Sequence, residues 1–299
     1  MSVNTIRKAR IAEWRPEGWN DAVAVANSQE MGFWVFRGQN DASHRLESSF
    51  ERGANDQGFP GARWQEAEKY IIEDFQRHIH QHMPHERMPD NELDWLALIR
   101  HHGGPTRLLD VSASFYVASF FATENASRDR DAAVWAFNIN HFRKWKASAS
   151  KEDSKPIGEV CRKERELVNR SLRRLTDKQG IYHVQPYRLS ERMIMQQGAF
   201  LYPRDIATPF MQNLAQALRV QEEVFSHMET IDGDCLMGNM SDFGLVKIVF
   251  DPSQFDEIRG GLRRMNISSA TLYPGLDGFA RSLYYPFMVF GKCRKTKRA

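Results

Sequence analysis

Apolar residues follow this chain in two patterns, a helical spacing of three to four residues and short continuous runs. The helical spacing is clearest over 63–82, where large apolar side chains recur on one face. In the run at 111–122, small and aromatic residues occupy most faces, which predicts a buried helix. Helices are predicted at 14–30, 63–82, 92–101, 111–122, 159–175, 191–195, 210–228 and 251–265, with a last one after a turn at 271–280.

Short apolar runs bounded by turn residues predict strands. The run at 132–139 is apolar on both faces, which is typical of a central strand. The predicted strands are 33–37, 132–139, 181–184, 198–203 and 244–250, and residues 44–52 are predicted as a short connection. Helices and strands mix without strict βαβ alternation, so the fold class expected is α+β.

The chain has 299 residues, which allows one large domain or two small ones. We expect a single domain over 1–299, because no repeat or low-complexity segment divides it. The segment 141–179 is rich in lysine, arginine, glutamate and serine, and predicts a charged helical insertion. Residues 292–299 form a short basic tail, typical of a solvated chain end.

Composition narrows the class of protein but not its activity. With 41% hydrophobic residues, 26% charged residues and a net charge of +3, the chain is globular rather than disordered, and nucleic-acid binding is neither implied nor excluded. The three cysteines lie far apart without CxxC spacing, which argues against disulfides and zinc and fits a cytoplasmic protein. No signal peptide and no apolar run of about eighteen residues is present, so no membrane association is expected.

The densest group of chemically useful residues is His101-His102-Gly103-Gly104-Pro105-Thr106-Arg107-Leu108-Leu109-Asp110. The glycines and the proline form a stiff turn, and the buried helix predicted after it would hold the polar side chains rigidly. This pattern indicates a functional loop. The alternative is a Gly-Pro turn with a threonine cap and a surface pair between Arg107 and Asp110.

Two further stretches place polar groups beside glycine. Arg37 ends the first predicted strand, and its guanidinium offers a planar set of donors for phosphate or carboxylate, unless it only forms a salt bridge. Gln196 and Gln197 precede Gly198 and another strand, so one amide could point into a cavity, although turn glutamines are often solvated. We predict that these clusters meet in one cleft, formed by Arg37, His102, Arg107, Asp110 and Gln196.

These stretches together resemble the FRG domain family, which is named for its aromatic-Arg-Gly motif. The resemblance is carried by Phe36-Arg37-Gly38-Gln39, His102-Gly103-Gly104-Pro105-Thr106-Arg107-Leu108-Leu109-Asp110, Phe120-Phe121-Ala122, Gln196-Gln197-Gly198-Ala199-Phe200 and Leu272-Tyr273-Pro274-Gly275-Leu276-Asp277-Gly278. It extends over about 30–283. The family is itself remotely similar to ADP-ribosyltransferases, and some members occur among toxins and anti-phage systems. The resemblance therefore implies a mostly antiparallel central sheet flanked by helices, similar to that of ADP-ribosyltransferases.

The resemblance also implies an activity, the consumption of NAD by an ADP-ribosyltransferase or NAD glycohydrolase without a metal. Arg37, Asp110 and Gln196 would be catalytic. The residues that would hold NAD are Gly38, Gln39, His102, Thr106 and Arg107. The partners implied are a protein or nucleic-acid acceptor and a cognate antitoxin or defence-system component.

Gln196 departs from the expected pattern, because transferases commonly carry a catalytic glutamate there, and an amide can neither carry negative charge nor take a proton. If Gln196 takes the place of the glutamate, Gln196→Glu should retain or raise cleavage. If the amide donates its hydrogens, the same change should impair it. A non-catalytic module that binds a nucleotide or an anionic partner is therefore the alternative. A nuclease is a more distant reading, because the sequence lacks a convincing cluster of metal-binding carboxylates.

Overall fold

The computed structural model describes residues 8–83, 88–142, 162–163, 165–169 and 179–284. In these ranges one sheet of eight strands organises the molecule, with strand order β5-β6-β3-β2-β4-β8-β1-β7. The strands are β1 Arg10–Trp14, β2 Trp34–Gln39, β3 Leu109–Ser112, β4 Ala132–Asn138, β5 Ile181–Val184, β6 Gly198–Pro203, β7 Glu229–Ile231 and β8 Phe243–Phe250.

Helices separate most of these strands along the chain. They are α1 Trp19–Ala26, α2 Ser49–Asp56, α3 Trp64–His82, α4 Glu92–His101, α5 Phe115–Thr123, α6 Glu191–Met195, α7 Phe210–Leu218, α8 Gly233–Gly238, α9 Phe255–Arg264, α10 Ser269–Leu272 and α11 Leu276–Ser282. Short 3-10 helices lie at Gln29–Phe33, Gly61–Arg63, Glu222–Ser226, Met240–Asp242 and Pro252–Gln254. Serine, asparagine and aspartate side chains cap several N-termini, as Asn91 does for α4.

The sheet is mixed and mostly antiparallel, as expected. β1 pairs in parallel with both β7 and β8, whereas the other pairings, from β5 through to β8, are antiparallel. The expected α+β class is therefore confirmed at this level.

Both faces of the sheet are buried. Phe36 of β2 packs on one face in a cluster with α1, α5 and α9, where the rings of Trp19 and Phe115 stack with centroids 5.7 Å apart. Val35, the preceding residue of β2, joins the cluster on the opposite face with Phe210 and Leu214 of α7. This alternation is the period of two that a strand imposes.

Gly38 is fixed by the packing of α5 on β2. A Cβ atom at this position would collide with the carbonyl oxygen of Ala118 and the amide nitrogen of Ala122. The glycine of the aromatic-Arg-Gly motif therefore lets a strand and a buried helix approach closely.

Several predicted elements were wrong in kind or length. The helix predicted at 14–30 is present but shorter: Trp14 ends β1, and α1 spans only Trp19–Ala26. The connection at 44–52 contains the start of α2, and the beginning of the run at 111–122 belongs to β3. The helix predicted at 210–228 ends at Leu218 because Arg219 adopts a left-handed conformation, with φ of 60°.

Two predicted features lie mostly outside the described residues. Of the charged insertion at 141–179, residues 162–163 and 165–169 are helical. The basic tail at 292–299 is not described.

Candidate functional site

A cleft of about 560 Å³ opens where β2 and β3 part. These neighbouring strands register at a single pair, Phe36 with Ser112, whereas β2 and β4 register along six pairs. The cleft is lined from β2, β3, the ends of α4 and α6, and helix α2. Its charged and amide-bearing lining residues are Arg37, Gln39, Asn40, Arg45, Glu47, Arg52, Arg100, Asp110, Arg192 and Gln196.

Arg37 lines this cleft, with 18% of its side chain exposed. Its Nη1 donates to the main-chain oxygen of Asp110 over 2.8 Å, while the Asp110 carboxylate is 3.9 Å away. Its buried Nε has no hydrogen-bond partner among the described residues. Burial lowers the pKa of Arg37 to about 10, and the charges of Arg100 and Arg52 act in the same direction against Asp110. The guanidinium is thus incompletely paired, which favours an anion beside it.

The Asp110 carboxylate is held by a different arginine. Its Oδ2 accepts from Nε of Arg100 over 2.8 Å and lies 2.6 Å from Nη2 of the same side chain. Asp110 remains 45% exposed toward the cleft. The surface pair considered above, between Arg107 and Asp110, is not formed; Arg100 takes that place.

Positive charge dominates the cleft. Five arginines line it against two carboxylates, Glu47 and Asp110. Arg45 and Arg52 are exposed, and within the described part of the chain no side-chain partner is found for either guanidinium. The lining arginines are Arg37, Arg45, Arg52, Arg100 and Arg192. Such a cleft concentrates anions and suits phosphate groups.

An aromatic wall completes the site. Arg192 lies over one ring, that of Tyr273, at 5.0 Å from its centroid, and Arg281 lies 4.8 Å from the same centroid. The Tyr273 hydroxyl donates to Glu124 over 3.4 Å. Burial raises the pKa of Tyr273, and the Glu124 charge adds to this effect, so the phenol stays neutral.

The side-chain amides of Gln196 and Gln39 form hydrogen bonds that hold neighbouring segments of the cleft together. Gln196 lines the cleft, and its Nε2 donates to the main-chain oxygen of Leu272 over 3.0 Å. Gln39 accepts from the Trp135 indole over 2.5 Å and donates to the main-chain oxygen of Arg45 over 3.1 Å. The structure therefore brings Arg37, Asp110 and Gln196 together as predicted, but the hydrogen bond of Gln196 is structural.

Three residues predicted to hold NAD lie outside the cleft. Arg107 is 5% exposed and pairs through Nε and Nη2 with both carboxylate oxygens of Glu68, while Nη1 donates to the Tyr202 hydroxyl over 3.0 Å. Thr106 is fully buried, and its main-chain groups bond to α2 at Ser49. His102 is exposed and its neighbour His101 lines the cleft instead. The prediction of one cleft was wrong for these residues, because the chain turns inward after Gly103, whose φ is +84°.

The arginines on helices were missed. Arg52, Arg100 and Arg192 lie on or beside amphipathic helices, where a surface arginine gives no distinguishing pattern. For Arg107 a signal was present. Glu68 follows Trp64 by four residues on the apolar face of α3, so a buried cation partner was to be expected.

Comparison with protein families identifies part of this arrangement. The FRG domain family model matches residues 32–131. The match covers 100 of the 299 residues. The matched residues run from the strand that holds Arg37 to the one that holds Asp110 and on through α5. Gln196 and Tyr273 lie beyond the FRG match, so the C-terminal part of the resemblance is not covered by it.

No curated protein and no solved structure matches the chain. Within the described ranges, none of the helices is long and apolar enough to cross a membrane. The same ranges contain no group of three or more histidine, cysteine, aspartate or glutamate side chains arranged to hold a metal ion.

Proposed function

We propose that the basic cleft binds the pyrophosphate of NAD and that the protein is an NAD-consuming enzyme, an ADP-ribosyltransferase or an NAD glycohydrolase. One observation carries the proposal: five arginines surround a cleft with two carboxylates, and one of them, Arg37, has a buried Nε that finds no partner among the described residues. The FRG domain, by its resemblance to ADP-ribosyltransferases, supports NAD over other phosphate ligands.

Arg37 suits a phosphate contact for an electrostatic reason. Its Nη1 is fixed on the Asp110 main chain, which holds the guanidinium plane in place before a ligand arrives. An anion in the cleft that accepts from the guanidinium would also supply the opposite charge that offsets its burial. Charge-assisted hydrogen bonds of this kind contribute about 1.5–3 kcal/mol each.

Cleavage of the nicotinamide–ribose bond develops positive charge on the ribose. Asp110 is the carboxylate that the proposal assigns to this charge, because it faces the cleft, is 45% exposed and lies beside Arg37. Gln196 would keep the Leu272 segment in place, and through it the Tyr273 ring that lines the cleft.

The cellular role that follows from the proposal is that of a cytoplasmic bacterial toxin or anti-phage effector that depletes NAD or modifies a protein or nucleic acid. A cognate antitoxin or defence-system partner would then restrain it. The support for this role is the FRG domain and its resemblance to proteins of such systems.

A non-catalytic binding module is the second candidate, and two contacts favour it. The Gln196 amide is committed to a main-chain oxygen, and the Asp110 carboxylate is neutralised by Arg100. A module of this kind would hold a nucleotide or a phosphorylated partner without cleaving it.

Binding and cleavage should be measured on the same protein. We expect calorimetry to show NAD binding and chromatography to show nicotinamide release. Arg37→Ala should weaken binding about 10- to 100-fold, the equivalent of one charge-assisted contact. Asp110→Ala should leave most of the binding and abolish release.

Arg128→Ala is the matched control, because Arg128 forms an exposed pair with Asp256 and does not line the cleft. It should bind and cleave as the wild type does. Binding without release in the wild type would favour the binding module. Absence of NAD binding, or melting temperatures that collapse in both the Arg37 and Asp110 variants, would overturn the proposal.

A further inference from the structure

His101, at the end of α4, stands between two cavities. It lines the basic cleft, and with Ala97 and Met193 it also lines an adjoining cavity of about 450 Å³. The described lining of that second cavity is largely apolar and includes Met83, Met88, Leu98 and Leu189. The two cavities therefore meet at the His101 imidazole, where a hydroxyl group at the edge of the second cavity would lie beside a ligand in the cleft.

The imidazole is oriented by a hydroxyl. Nδ1 of His101 lies 3.3 Å from Oγ of Ser190, which also accepts from the amide of Met193 as the N-cap of α6. When Nδ1 carries the proton and Ser190 accepts it, the lone pair of the ring is on Nε2. In that tautomer the contact with Ser190 leaves Nε2 able to act as a base.

The surroundings of His101 keep it neutral. Burial lowers its pKa, and the neighbouring charges of His102 and Arg192 add to this effect. Arg100 and Asp110, which also line the cleft, form an ion pair with each other. The ring is therefore uncharged at neutral pH and able to accept a proton.

We propose that His101 is the general base of the site and that it activates a hydroxyl nucleophile, water or an apolar alcohol, held in the adjoining cavity. The inference rests on the proposed NAD cleavage. His101 would supply the proton acceptor of the site. Gln196 cannot accept the proton because it is an amide, and the Asp110 carboxylate is engaged by Arg100.

The reaction breaks one bond of the ribose carbon and forms another. The bond between the ribose carbon and the nicotinamide nitrogen breaks, and its electron pair leaves with neutral nicotinamide. The hydroxyl oxygen forms the new bond to that carbon. Its proton passes to Nε2 of His101 and then to solvent.

The test compares two adjacent histidines. His101→Gln removes the base, and His102→Gln is the matched control because His102 is exposed and lines neither cavity. We expect His101→Gln to slow nicotinamide release about 100-fold or more, the usual effect of losing a general base, with NAD binding unchanged. His102→Gln should release nicotinamide at nearly the wild-type rate.

The pH profile separates chemistry from structure. The wild-type rate should fall as pH drops through the lowered pKa of His101, because the protonated ring cannot accept a proton. The residual rate of His101→Gln should lack that acidic limb. Ser190→Ala should slow release less than His101→Gln does, and Ser190→Thr should restore it.

The outcomes are distinguishable. Unchanged release or an unchanged acidic limb in His101→Gln, while the wild type cleaves NAD, would overturn the base and leave the proposed function standing. A wild type that binds NAD without releasing nicotinamide would overturn both. Equal losses in the His101 and His102 variants would assign the effect to packing and also overturn the base.

Discussion

Two arginines in this protein, Arg107 and Arg37, come from comparable motifs beside glycine and end in opposite environments. Arg107 is buried. Its guanidinium donates to both carboxylate oxygens of Glu68, to the Tyr202 hydroxyl and to two main-chain oxygens. Although burial opposes the charged form, the Glu68 and Tyr202 neighbours raise the pKa of Arg107 above its usual value. Arg37 borders a cleft, has one donor that finds no partner in the described ranges, and has its pKa lowered.

The difference is one of electrostatic compensation. Around Arg107 the protein provides an opposite charge and enough acceptors, so the cation stabilises the fold. Around Arg37 the protein places further arginines. In the described ranges, the Arg37 guanidinium donates to an uncharged group, the main-chain oxygen of Asp110. A buried arginine therefore indicates a site only when its own protein leaves it incompletely paired.

The largest effect is expected at the closed pair. Arg107→Ala or Glu68→Ala should lower the free energy of unfolding by about 3–5 kcal/mol, because each leaves the other charge buried and unpaired. Denaturant unfolding measures this. The double variant should cost less than the sum of the two single variants.

The exposed pair of Arg128 and Asp256 serves as the comparison for that experiment, with Arg128→Ala expected to cost about 0–1 kcal/mol. If Arg107→Ala were equally mild, the contrast between the closed and open arginines would be wrong.

The next effect concerns Glu51, a buried carboxylate that, in the described part of the chain, faces no cation. It is 7% exposed and its Oε2 accepts from the amide of Phe210 over 3.0 Å. Burial raises the pKa of Glu51 to about 7 in spite of that hydrogen bond, with the charge of Glu47 adding to the rise. Unlike Glu68, which is paired with a cation, Glu51 is protonated below a pH of about 7.

The pKa of Glu51 is higher in the folded than in the unfolded chain, where it is about 4.5. The folded chain therefore binds the proton more tightly, and the stability this confers is present below pH 4.5 and lost as pH rises through about 7. The loss is on the order of 3 kcal/mol. Glu51→Gln, which keeps an acceptor for Phe210, should flatten the pH dependence of unfolding. A slope that persists in Glu51→Gln would refute the assignment.

The smallest of these effects is expected for Gln196→Glu. Its amide donates to the Leu272 carbonyl, and a carboxylate would set two acceptors against each other. We expect a loss of about 1–3 kcal/mol in stability together with reduced NAD cleavage. The structure thus favours impairment over the gain expected if Gln196 stood for a glutamate. Gln197→Glu is the control, because it adds the same charge at an exposed neighbour, and its loss of stability should be smaller. Raised NAD cleavage in Gln196→Glu would support the interpretation of Gln196 as the counterpart of a catalytic glutamate.

Much of the fold could be predicted because its longer elements carry strong periodicity. The strand at 132–138 and the helix at 64–82 were found at nearly their true bounds. β1 and β7 were missed, because they are short, include charged residues and exist through parallel pairing with residues more than two hundred positions away. Pairing over such distances leaves no local pattern.

The site was partly predictable for a similar reason. Arg37 and Asp110 stand at strand positions beside glycine or a turn, which marks them in the sequence, and the structure places both on the cleft. Arg107 stands in an equally marked position, yet Glu68, 39 residues earlier, determines its environment. Sequence identified the polar residues near turns and could not tell which would acquire a partner.

The single register pair between β2 and β3 also has a mechanical consequence. It joins a three-stranded portion of the sheet, β5-β6-β3, to the five remaining strands, and the side chain of Arg37 spans the seam where further ladder hydrogen bonds would otherwise form. The seam is the least reinforced line across the sheet. An anion held between Arg37 on one portion and Arg100 beside the other would link the two portions. A bound anion should therefore make the whole sheet more rigid and slow amide exchange at the seam.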